Sequence, residues 1–168
     1  MLFRKKISAT DAVERMLMIV KIASTDSRIQ SLEKQLETVP NHLAKEVITM
    51  ALFGVYISTK FSRFSGWREQ GRSLFDSLLD KVVDNLVQNY GVPEILAREP
   101  IEHTFAMHSV SCDVHADDPA GLKRALGENL NAFVSTHTSE EVISLGARVF
   151  TNSFEAVVDL HKTYKLVV

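Results

Sequence analysis

The stretch that most constrains this chain is VITMALFGVYI, Val47 to Ile57. At about 100° per residue its apolar side chains point in every direction around a helix. Such a helix has no face to give to water and must be covered on all sides. It is about half of the roughly 20 residues a membrane span requires. We therefore expect a buried central helix, from about His42 to Phe61, with Asn41 as its N-cap. Covering it takes several further helices.

Helical periodicity supplies them. A first helix is expected from Asp11 to Ala23 behind Thr10, with Val13, Met16, Leu17 and Val20 inward. A narrow stripe of Ile29, Leu32, Leu36 and Val39 marks a surface helix that Pro40 ends. Trp67 to Tyr90 repeats apolar residues at three and four, and Gly91 stands where a left-handed C-terminal glycine belongs. A fifth helix is expected from Pro100 and a sixth from Pro119 behind Asp118, proline being favoured at the first helical position. Thr138 and Glu141 have capping-box spacing before the last helix, which runs to about Tyr164. The expected fold is all-α: a single domain over residues 1–168, a bundle of about six to seven helices. Its long central helices lie near 42–61, 67–90 and 139–164. Lys165–Val168 is the one weak strand candidate.

The charge balance, 19 basic against 21 acidic residues, argues against a protein that coats DNA. The only cysteine precludes an internal disulfide framework and fits a reducing compartment. The basic start MLFRKK is not followed by a clean apolar core or a small-residue cleavage site. A cytoplasmic location without membrane attachment is the expectation.

HTFAMHSVSCDVH, His103 to His115, holds three of the six histidines and the cysteine. On a helix, His108, Cys112 and His115 fall at i, i+4 and i+7, along one stripe. Imidazole and thiolate are preferred zinc ligands. However, i and i+7 lie about 10.5 Å apart along the axis, so one ion rarely takes all three. Asp117, His137 or His161 would have to complete a site. A Cys112 nucleophile activated by a neighbouring imidazole is the second possibility, and the leading reading is structural, a buried thiol acting as a small hydrophobe beside hydrogen-bonded histidines. The residues from Ser109 to Ala116 also alternate polar and apolar, a strand pattern that would scatter the cluster. Helix is the expectation. His161, on the last helix, is a conceivable haem ligand.

KFSRFSGWREQGR, Lys60 to Arg72, interleaves four cations with three aromatics. Lys60, Arg63, Phe64, Trp67, Arg68 and Arg72 form the candidate partner surface, since tryptophan and arginine are enriched where partners bind tightly. The same composition can hold phosphate and stack bases. Alternatively Phe61, Phe64 and Trp67 plug the corner between two helices, and the arginines coat it. Asp76, Asp80 and Asp84 form a carboxylate row opposite the core stripe, read as a solvated face.

No P-loop, dinucleotide fingerprint or nucleophile elbow is present. No catalytic residue is assigned. The function expected is that of a non-enzymatic helical interaction or regulatory domain without cofactor, with a protein partner and a second copy of itself. A nucleic acid or phosphate ligand is the lesser expectation for its surface. The alternative function is a zinc- or haem-binding sensor.

Overall fold

The all-round apolar helix dictates the architecture. In the computed structural model, which describes residues 4–167, it is α3, His42–Lys60. Met50, Ala51, Leu52 and Phe53 are all fully buried, four successive residues that cover the whole circumference. Around it pack α1 (Ala9–Ala23), α2 (Arg28–Gln35), α4 (Ser65–Tyr90), α5 (Glu94–Val114), α6 (Pro119–Val134) and α7 (Glu140–Thr163). The all-α bundle is therefore the fold, with seven helices among the described residues. Each large apolar side chain removed from water contributes about 1.5–3 kcal/mol, and one contiguous core collects them.

Two short strands close the bundle: β1, Lys5–Ser8, and β2, Tyr164–Val167. They pair in parallel, Lys5 opposite Tyr164 and Ser8 opposite Val167. The weak strand signal at residues 165–168 is real as far as Val167, and Val168 lies outside the described residues. Its partner carries no signal of its own, because β1 is too short for its alternation to stand out. Ile7 and Leu166 are the inward positions of the pair.

Several helix starts differ from expectation. Ser8, not Thr10, caps α1, its hydroxyl accepting from the Asp11 N–H at 3.1 Å. Asn41 does not cap α3 with its side chain. It takes a left-handed conformation, φ 64°, which asparagine tolerates better than most residues. Helix α5 begins at Glu94 rather than at Pro100, which sits inside it. Pro100 has no N–H to give to the Leu96 carbonyl one turn back, and Leu96 is solvent-exposed, so water can serve that oxygen. Ser139, not Thr138, caps α7. Asn131 sets that register by accepting from the Ser139 N–H at 2.9 Å and donating to the His137 carbonyl at 3.0 Å. Asp118 caps α6 as expected.

Helices α6 and α7 meet backbone to backbone. A Cβ on Gly127 would stand 2.1 Å from the Ile143 carbonyl oxygen, so no side chain fits. Gly127→Ala is expected to destabilise the fold by about 3 kcal/mol, because neither helix can retreat without opening the core. Gly66→Ala, whose Cβ would meet nothing closer than 4.0 Å, serves as control. Chemical denaturation of the two variants checks this, and equal midpoints would contradict it.

Candidate functional site

The Lys60–Arg72 stretch spans the C-terminus of α3, a short joint and the first two turns of α4. The fold divides it between core and surface. Trp67 is buried, 1% exposed, and its indole N–H donates to the Tyr164 carbonyl at 3.0 Å. Its ring lies 4.4 Å from the His161 imidazole, centroid to centroid. Trp67 is thus withdrawn from the candidate partner surface: it ties α4 to α7 and β2. Phe64 is half-buried, with the Arg4 and Arg63 guanidinium carbons 4.2 and 5.0 Å from its ring centroid. Phe61, expected to help plug the corner under that alternative, is instead 69% exposed.

The remaining cations stay outside. Lys60, Arg63, Arg68 and Arg72 are exposed, and none makes an ion pair with a described carboxylate. Three of them border a cleft of about 500 Å³ between α3 and α4. Lys60 and Tyr56, one turn apart, come from α3. Arg68, Gly71, Arg72, Phe75 and Asp76 come from α4. The Lys60 ammonium lies 5.4 Å from the Tyr56 ring centroid. Tyr56 and Phe75 are 5.0 Å apart, and Phe105 backs both, at 5.5 and 5.7 Å. A rigid aromatic wall with a cationic rim results. Arg63 and Phe64 lie outside this cleft, along a second, smaller one that His161 also lines.

Tyr56 and Phe75 are inconspicuous in the sequence because each lies on an apolar helical stripe. The i, i+4 spacings Tyr56–Lys60 and Arg68–Arg72 are readable, but that the two pairs face one cleft follows only from how α3 and α4 cross.

The His103–His115 stretch is helical to Val114, and the strand alternative does not hold. His108 is buried, its ring 5.0 Å from Phe53, and its Nδ1 accepts from the Asn129 amide at 3.2 Å. Asn129 also donates to the Ser111 hydroxyl, at 2.9 Å. Burial pushes the His108 pKa down to about 4. Cys112 and His115 are only half-buried. Burial, with Asp113 nearby, pushes the Cys112 thiol upward and so opposes thiolate formation, while Lys60 acts in the other direction. Among the described residues, no three His, Cys, Asp or Glu side chains converge as a metal site would require. His161, the conceivable haem ligand, lies with its ring against Trp67. The carboxylate row is exposed, and Asp80 pairs with Arg98 at 2.6 Å. No helix of the described residues is long and apolar enough to cross a membrane. Comparison with known protein families, curated proteins and solved structures finds no match.

Trp67→Ala should cost about 3–5 kcal/mol, the range for emptying a large buried site, whereas Arg68→Ala should stay within about 0.5 kcal/mol. Urea unfolding of both variants decides this, and equal losses would contradict the placement of Trp67. A second expectation concerns pH. His108 and His161 are both held neutral, with pKa values pushed down by burial to about 4 from 6.5. The unfolded chain therefore binds more protons below pH 6.5. The stability from holding them neutral is fully present above that pH and is lost as pH drops towards 4. Each histidine accounts for about 1.4 kcal/mol for every pH unit crossed in that window. Unfolding free energies should fall there in wild type and fall less steeply in His108→Gln. A flat wild-type profile would contradict it.

Proposed function

We propose that this chain is a non-enzymatic, cytoplasmic helical interaction or regulatory domain that takes an anionic partner on the α3–α4 face and associates with a second copy of itself. The observation that carries this is the group Lys60, Arg63, Arg68 and Arg72: exposed, without an ion pair to any described carboxylate, and with three of the four bordering an aromatic cleft. In a chain with nearly balanced charge, four cations on one joint without a described carboxylate partner form a local positive field that steers anionic partners. Exposed aromatic surface at Phe61 adds apolar contact area. The single cysteine, unpaired and half-buried, is in keeping with a reducing compartment.

Self-association draws on α5. Val110 and Val114, one turn apart, are 62% and 71% exposed, and Ile95 and Leu96 are exposed on the same helix. Apolar side chains at that spacing form a stripe that a second helix can cover.

Charge reversal tests the partner face. Lys60→Glu, Arg68→Glu and Arg72→Glu together should abolish recovery of cross-linked partners from cells while the melting midpoint holds, because all three side chains are exposed. An unchanged set of partners would refute the partner face. Size-exclusion chromatography with light scattering should show a dimer that Val110→Glu with Val114→Glu converts to a monomer. A wild-type monomer at every concentration would remove self-association.

A further inference from the structure

We propose that the α3–α4 cleft binds a small phosphate ester carrying a planar ring, a ligand of the nucleotide class. This rests on the α3–α4 face being the recognition surface and names the chemistry it takes. The cleft, at about 500 Å³, lies within the range of small-molecule sites. A bare phosphate would leave most of it empty.

Its lining separates into two parts. Lys60 enters from α3, while Arg68 and Arg72, one turn apart, enter from α4. Against these three cations stands one carboxylate, Asp76. The excess of two positive charges matches a phosphate monoester, which carries nearly two negative charges at neutral pH. Arginine presents its donors as a planar fork that fits phosphate oxygens in pairs. The other part is the wall of Tyr56 and Phe75, held in place from behind by Phe105. Stacking a base on such a ring contributes about 1–3 kcal/mol. A phosphate alone leaves the wall unused, and a neutral ring leaves the cations unused. Gly71 lets α4 approach α3 closely beneath the cleft, since a Cβ there would stand 3.2 Å from Thr59 Cγ2. The groove between α1 and α7 lacks this character: its one cation, Arg148, is already paired with Asp26.

Calorimetric titration of the full chain with AMP, adenosine, inorganic phosphate and phosphotyrosine tests the proposal. AMP should bind with a Kd below about 1 mM, and adenosine and inorganic phosphate should each bind at least about tenfold more weakly. Lys60→Ala with Arg72→Ala should weaken AMP at least about tenfold, with an unchanged melting midpoint. Arg68→Ala, a single exposed truncation, gives an independent reading and should weaken AMP about threefold or more. The site is overturned if AMP fails to bind, if the variants leave its affinity unchanged, or if inorganic phosphate binds as tightly as AMP. Phosphotyrosine binding more tightly than AMP would overturn the nucleotide class while leaving the partner face standing. Loss of partner recovery without loss of AMP binding, or the reverse, separates the two.

Discussion

Everything in this bundle depends on covering α3. A helix with Met50, Ala51, Leu52 and Phe53 all buried cannot rest on a surface, so neighbours are needed on every side. Close approach is what makes the cover tight. Gly54 lets α7 come near enough that a Cβ there would be 3.0 Å from the Phe150 carbonyl oxygen. Gly127 does the same between α6 and α7. Interiors pack at crystal-like density, so these contacts leave little freedom for helix rotation. The direction in which α4 leaves the α3 terminus, and with it the cleft, is set by this packing.

The same constraint explains why one short stretch serves two roles. Trp67 fills the corner and donates to Tyr164, which anchors the C-terminal strand to α4. With the core requirement met by that one residue, the cations around it are free to face water. Arg63 and Arg4 stack on Phe64, and neither pairs with a carboxylate among the described residues. Buried polar residues follow a related logic. His108 takes a hydrogen bond from Asn129 and stays neutral, because a charged imidazole in that apolar setting would cost several kcal/mol.

How much of the site is legible in the sequence depends on whether a single helix contains the information. The cations Lys60, Arg68 and Arg72 stand out by composition. Tyr56 and Phe75 do not, since an aromatic on an apolar stripe reads as core. Trp67 misleads for the converse reason: beside arginines it reads as a contact residue, and only the parallel pairing of β2 with β1 supplies the carbonyl that draws its indole inward. The His/Cys stripe is legible as a stripe, but its chemistry turns on what the opposing helix presents, which is Asn129 for His108.

The sequence by itself determined the helices, their approximate extents, and the need for a central one, because periodicity acts within a few residues. It also determined the local excess of positive charge at the α3–α4 joint. Tertiary structure alone decided the pairing of β1 with β2, across almost the whole chain, and the withdrawal of Trp67 from the surface. It alone set Tyr56 of α3 against Phe75 of α4. Those outcomes depend on the angle at which helices cross, and that angle is set by packing between residues far apart in sequence rather than by any local preference.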